Sequence, residues 1–234
     1  MGDVDDLKRA AAERAVADEV RSGMVLGLGT GTTAIHATRR IGALLSDGEL
    51  GDVVGVPTAV ETADEARRCG VPVLTDDVPW EIDVTIDGAD EVDPQLDLIK
   101  GGGGALLREK LVAQSTAREV IVVDGSKCTA RLGTRFPLPV EVVDFGIATT
   151  RSAIERLGAM IVVRGEGDAS GPFRTDQGNL ILDCTFGPIA DAEALAAELA
   201  SHAGVVEHGL FLGLTAALVV ASESGVEVTE RPTT

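Results

Sequence analysis

Met24-Val25-Leu26-Gly27-Leu28-Gly29-Thr30-Gly31-Thr32-Thr33 is the stretch on which the fold turns. Residues 24–28 form a short apolar run of the length expected for a buried strand. A glycine-rich turn follows over residues 27–33, and a helix runs on to about Leu45. A strand that passes through glycines directly into a helix opens a βαβ unit.

The alternation continues outward. Upstream, residues 5–21 place Leu7, Ala11, Ala15 and Val20 near helical spacing. Downstream, apolar runs at 53–56, 71–74, 82–86 and 119–123 read as strands, with helices over 61–68 and about 105–115. Strands alternating with helices predict an α/β fold with a mostly parallel sheet. Near Pro137 the order changes. Strand 138–143, helix 148–157, strands 159–164 and 179–184, helix 191–200 and strand 205–208 spell βαββαβ, the split motif of ferredoxin-like domains. The expected organisation is a main domain over 1–135 plus 208–234 and an inserted α+β domain over 136–207. The apolar tail 210–220 is expected to return to the main sheet.

Composition narrows the function classes. The 234 residues carry a formal net charge of −18 and are 44% hydrophobic, enough for a sizeable core. Nucleic-acid binding calls for a basic face, and no basic run exists; Arg39-Arg40 and Arg67-Arg68 are isolated pairs expected on solvated helix faces. No apolar run is long enough for a membrane span, and the acidic start, residues 1–6, lacks the order of a signal peptide. Cys69, Cys128 and Cys184 are odd in number and lack metal-ligand spacing, which fits a reducing cytoplasm. So strong a negative charge is screened by concentrated salt, which points to a halophilic source. Only Lys8, Lys100, Lys110 and Lys127 are lysines, so a lysine inside a loop motif calls for a functional explanation.

Four motifs carry the chemistry. Gly29-Thr30-Gly31-Thr32-Thr33 sits where a strand gives way to a helix, whose free amides and dipole favour an anion such as phosphate. A tight turn with an N-cap is the structural alternative. Gly29, Gly31 and Ala34 also fit G-x-G-x-x-A, but the second strand ends in Val56-Pro57-Thr58 without the acid a dinucleotide ribose needs, so the loop reads as a phosphate-monoester site. Asp87-Gly88-Ala89-Asp90-Glu91 follows another strand. Its carboxylates suit proton exchange with substrate hydroxyls, while turn residues or a metal site are the other readings, the latter without EF-hand spacing. Lys100-Gly101-Gly102-Gly103-Gly104 joins a lysine to the helix carrying Glu109. A carboxylate facing a closed cleft suits a general base; taken alone, Glu109 reads as an ordinary surface glutamate beside Lys110. Asp124-Gly125-Ser126-Lys127 follows a further strand, where Lys127 either holds phosphate as a point charge or lies on a solvated turn.

Taken together and in this order, these motifs resemble type A ribose-5-phosphate isomerases, as do Arg108-Glu109-Lys110, Phe136-Pro137-Leu138-Pro139-Val140-Glu141-Val142, Gly178-Asn179-Leu180-Ile181-Leu182-Asp183 and Gly209-Leu210-Phe211. The likeness spans nearly the whole chain. It implies a Rossmann-like main domain with a smaller α+β domain, and a homodimer or homotetramer. It implies interconversion of D-ribose 5-phosphate and D-ribulose 5-phosphate through an enediolate, with no cofactor and no metal. By matching position it implies Glu109 as the base, with Asp87, Asp90 and Lys100 also catalytic. Substrate contacts fall to Thr30, Gly31, Thr32, Thr33, Asp87, Gly88, Ala89, Asp90, Lys100, Gly101, Gly102, Gly103 and Lys127, and Lys8 matches an N-terminal lysine of the family. Thr32 stands where serine is common, and the 56–60 loop departs from the serine-rich loop of many members. Another sugar-phosphate enzyme, such as an amino-sugar phosphate deaminase or a lactonase, and a non-catalytic sugar-phosphate sensor are the alternatives. A sensor would want a DNA-binding segment, and no basic helix-turn-helix precedes residue 24.

Overall fold

The computed structural model describes residues 4–165, 167 and 171–231. The ends of the expected main domain, 1–3 and 232–234, and residues 166 and 168–170 of the expected insert lie outside the described residues.

Helix α1 (Val4–Glu19) leads into strand β1 (Val25–Leu28), helix α2 (Gly31–Ser46), β2 (Val54–Pro57), α3 (Val60–Arg68) and β3 (Ile82–Asp87). Two two-residue strands, β4 (Glu91–Val92) and β5 (Leu98–Ile99), precede α4 (Leu106–Gln114) and β6 (Thr116–Asp124), which ends in a single 3-10 turn, Gly125–Lys127. Then come β7 (Leu138–Val142), α5 (Ile147–Glu155), β8 (Met160–Val163), β9 (Leu180–Thr185), α6 (Ala192–Ala200) and β10 (Val205–His208). The chain closes with β11 (Leu210–Phe211), β12 (Thr215–Ser222) and β13 (Gly225–Glu230).

The main sheet has the order β13-β12-β6-β3-β1-β2. Every pairing in it is parallel except the β12–β13 hairpin. Such a sheet is covered on both faces, so its strands are apolar throughout rather than alternating; Val120, Ile121, Val122 and Val123 of β6 are all buried. Small residues let helices lie close. Ala11, Ala12 and Ala15 bring α1 onto the core, and Gly42 of α2 lies so near Cys69 that a Cβ there would sit 2.5 Å from its carbonyl oxygen.

The βαββαβ segment forms a four-stranded sheet of order β10-β7-β9-β8, wholly antiparallel, which is the strand order of a ferredoxin-like domain. Its apolar face, with Leu138, Val140, Val142, Leu180, Leu182 and Cys184, packs with Ile154 of α5 and Leu199 of α6.

Some sequence expectations shift. The run 71–74 makes only an isolated bridge, Val73 to Gly55, because Pro72 interrupts its ladder. The tail divides: β11 pairs with β5 in a small sheet β11-β5-β4, while β12 enters the main sheet beside β6. By compactness the chain falls into one unit of Met1–Ala89, Arg108–Lys127 and Leu214–Thr234, and a second of Asp90–Leu107 and Cys128–Gly213.

Candidate active site

In the first unit, β1, β3 and β6 run parallel, so Leu28, Asp87 and Asp124 end on one edge of the sheet. That edge is where open α/β sheets bind ligands. Asp87 organises it: its Oδ1 accepts from the amides of Thr30 (3.1 Å) and Gly88 (2.7 Å). Gly29 is required by proximity, since a Cβ there would overlap Asp87. Gly31, at φ +93°, turns the chain into α2 in a conformation side chains rarely adopt.

Thr30 occupies the N-cap of α2, yet its hydroxyl makes no capping bond. The first-turn amides of Gly31, Thr32 and Thr33 lack intrahelical carbonyl partners by the geometry of any helix start. Lys8 reaches over from α1, its Nζ 2.9 Å from Thr32 Oγ1. Asp124 accepts from the amide (2.9 Å) and hydroxyl (2.5 Å) of Ser126. Burial alone would raise the Asp124 pKa, but the Ser126 bonds and the nearby Lys127 and Lys8 cations hold it below the ordinary value. Two of the four lysines thus stand near one carboxylate at this edge. Ala89 follows Gly88 beyond the end of β3 and is half-buried.

Glu109 lies in the first turn of α4 and is only 5% exposed, with Lys110 buried beside it in sequence. The alternative of an ordinary surface glutamate is thereby removed. The arginine pairs lie exposed on α2 and α3, as expected, and from there Arg39 (2.6 Å) and Arg68 (2.7 Å) both bind the buried Glu65.

In the second unit, Lys100 follows β5 and is 2% exposed. Its amide donates to Gly209 O at 2.9 Å, and its ammonium lies 5.6 Å from the centroid of the Phe211 ring, within cation–π range. Gly101 (φ +101°) and Gly104 (φ +86°) form a turn closed by Gly104 N donating to Gly101 O at 2.9 Å. Gly102 donates its amide to Asp90 Oδ2 at 2.7 Å, and a Cβ on Gly102 would lie 2.5 Å from Asp90 Oδ1. At Gly103 a Cβ would meet nothing within 4 Å. Glu91 has a structural task, its carboxylate accepting from the amides of Gly133, Arg135 and Phe136.

Thr30, Gly31, Thr32, Thr33, Asp87, Gly88, Ala89, Glu109 and Lys127 therefore belong to the first unit, and Asp90, Lys100, Gly101, Gly102 and Gly103 to the second. Sequence reasoning left Asp124 and Ser126 without a task, although they directly precede Lys127. It missed Arg164, which donates to the carbonyls of Gly101 (2.9 Å) and Gly102 (3.1 Å). No local signal marks a residue so distant in sequence from its partners.

A parallel Rossmann-like sheet thus carries an uncapped helix start flanked by a lysine, and the same chain holds a ferredoxin-like domain. The family model for ribose 5-phosphate isomerase A (phosphoriboisomerase A) matches residues 54–225. The ribose-5-phosphate isomerase A of Chloroflexus aurantiacus is 55% identical over 222 residues, covering 95% of this chain and 92% of that protein. A D-ribose-5-phosphate isomerase solved in complex with phospho-erythronic acid superposes with a TM-score of 0.94 at 35% identity, over 98% of this chain and 100% of that one. The Plasmodium falciparum ribose 5-phosphate isomerase gives 0.94 at 37% identity, with the same coverage. The chain belongs to the ribose 5-phosphate isomerase A family, and it is an enzyme that interconverts D-ribose 5-phosphate and D-ribulose 5-phosphate.

Proposed function

We propose that Glu109 is the proton-transferring base of this reaction. It removes the proton from C2 of the open-chain aldose and returns it to C1, while the hydroxyl proton at O2 passes to O1. The enediolate between these steps carries negative charge on oxygen, which Lys100 and the amides of Gly101 to Gly103 stabilise. Asp87 and Asp90 handle hydroxyl protons, including those of ring opening. The phosphate is held at the start of α2 by the amides of Gly31, Thr32 and Thr33, with Thr30 on the flank and Lys127 and Lys8 as counter-charges. Phosphate is remote from C1 and C2, so its binding energy serves to orient the reacting carbons.

The observation that supports the base is the burial of Glu109, 5% exposed in the first turn of α4; the phosphate placement rests on the threonine cap left unused, with Lys8 2.9 Å from Thr32. Glu109→Gln keeps size and removes the base. Turnover is expected to fall by about 10²- to 10⁴-fold, with KM little changed because the phosphate contacts remain. A variant turning over near the wild-type rate would show that the base lies elsewhere.

The enzyme is further proposed to act in the cytoplasm, as a homodimer or homotetramer, and to come from a salt-rich setting. Neither Cys69 nor Cys184 is in a disulfide, which suits a reducing compartment. A net charge of −18 repels itself over about 10 Å in 0.1 M salt and only about 3 Å in 1 M salt. The thermal midpoint should therefore rise steeply with KCl over this range. Equal midpoints at the two ends would remove the salt adaptation and leave the isomerase chemistry standing.

A further inference from the structure

We propose that Arg164 and Asp183 form a positioning pair, which fixes the Gly101–Gly102 peptide and through it the carboxylate of Asp90. This inference rests on the role assigned to Asp90 above.

Four consecutive glycines are the most costly of all sequences to hold in one conformation. Residues 101–104 are nevertheless held from both sides. Arg164 stands just beyond β8 and Asp183 on its neighbour β9, and the antiparallel register pairs Val162 with Asp183. The guanidinium meets that carboxylate as a fork, Nε to Oδ2 at 3.0 Å and Nη2 to Oδ1 at 2.5 Å. A planar guanidinium gripped along one edge keeps little rotational freedom, which a lysine ammonium would retain. Its other terminal nitrogen, Nη1, donates to Gly101 O at 2.9 Å and Gly102 O at 3.1 Å. Phe173 lies beside the guanidinium, with Arg164 Cζ 5.8 Å from its ring centroid, and its ring edge fills the place a Cβ on Gly104 would take.

A trans peptide is planar, with its carbonyl and its N–H pointing in opposite directions. The Gly101 carbonyl lies on Arg164, so the Gly102 N–H of the same peptide is aimed away from Arg164, and there it donates to Asp90 Oδ2 at 2.7 Å. Asp183, Arg164, one peptide plane and Asp90 thus form a single chain of hydrogen bonds. Rotation of that peptide would break it at both ends. Arg164 touches neither substrate nor reacting atoms in this scheme; it acts through Asp90 and the glycine amides.

The test is a double-mutant cycle on the full enzyme, with ribose 5-phosphate as substrate and the thermal midpoint measured for each variant. Arg164→Lys keeps the charge and loses the fork. Its kcat is expected to fall about 10- to 100-fold, since small misplacements at a reacting centre can cost that much, with KM within about threefold of wild type. Combined with Asp90→Asn, the loss should be no greater than that of the more damaging single change, because both act on one link. Additive losses, or a wild-type kcat for Arg164→Lys beside a crippled Asp90→Asn, would overturn the inference alone. A wild-type kcat for Asp90→Asn would remove the role of Asp90 and the inference with it. Should Arg164→Lys not fold, Asp183→Asn, which weakens the fork and leaves Arg164 in place, enters the same cycle with the same expected non-additivity.

Discussion

Two helix starts show how differently the main sheet and the four-stranded sheet treat their polar groups. Helix α6, packed on the four-stranded sheet, begins at Asp191, whose carboxylate accepts from the Ala194 amide at 2.9 Å. Helix α2, at the edge of the main sheet, begins at Thr30, which can cap and does not. Lys8 stands at its first turn instead. Buried acids repeat the contrast. Asp124 at the main-sheet edge is held below the usual carboxylate range despite its burial, because Ser126 and two lysines favour the anion. Burial pushes Glu141, on β7, above that range; bonds from Asn179 and Thr175 oppose the rise, and Glu207 and Asp176 add to it. The main-sheet region leaves a threonine cap unused beside a lysine, whereas the four-stranded sheet meets its helix start and one oxygen of its buried acid with donors of its own. The first is the pattern of a binding edge and the second that of a scaffold.

The sharpest way to break this contrast is to remove the charge that makes α2 different. Lys8→Met should raise KM for ribose 5-phosphate about 10- to 100-fold, the worth of a hydrogen bond to a charged group, with the thermal midpoint nearly unchanged. An unaltered KM would mean that the start of α2 does not face the phosphate. A smaller effect should separate the two caps themselves. Asp191→Ala removes a working cap at a cost of about 0.5–2 kcal/mol. In a chain of this size that lowers the midpoint by about 2–4 °C per kcal/mol, and KM should not move. Thr30→Ala removes no capping bond, so its midpoint should stay near wild type. Equal losses from the two substitutions would erase the distinction between an open helix start and a closed one.

Much of this pattern was legible because it rests on local chemistry. Apolar runs ending in glycine mark β1 and its turn, and the alternation of strand and helix gives the parallel sheet. The two-residue strands β4, β5 and β11 escaped, because two residues have no period to read and their pairing depends on distant partners such as Leu210 with Ile99. Strand β13 is largely exposed, so it lacks the apolar run that identifies a buried strand. Glu109 was ambiguous for a related reason. Whether a glutamate in a helix is buried is decided by what packs over it, and a single sequence carries no such information. Lys8 and Lys127 were visible because lysine is scarce in this chain, whereas Arg164 is one of sixteen arginines and gave no such cue.

The buried acid of the scaffold region offers the smallest and most specific test of the contrast. Glu141 Oε1 accepts from Thr175 Oγ1 and Asn179 Nδ2, both at 2.9 Å, while Oε2 has no hydrogen-bond partner among the described residues. Its raised pKa means that the folded protein holds this proton to a higher pH than the unfolded chain does. The contribution to stability is therefore complete below the unfolded pKa of about 4.3, and it is lost as pH rises through the folded value. Glutamine keeps an oxygen for both donors and cannot ionise. Glu141→Gln should thus leave the midpoint near wild type at about pH 4 and raise it at about pH 8, with kcat and KM unchanged. Asp124 has the opposite sign, since its lowered pKa supports the fold above the ordinary aspartate range and loses that support as pH falls. If Glu141→Gln instead destabilised the enzyme at pH 8, the four-stranded sheet would be holding an anion, and it would resemble the binding edge rather than differ from it.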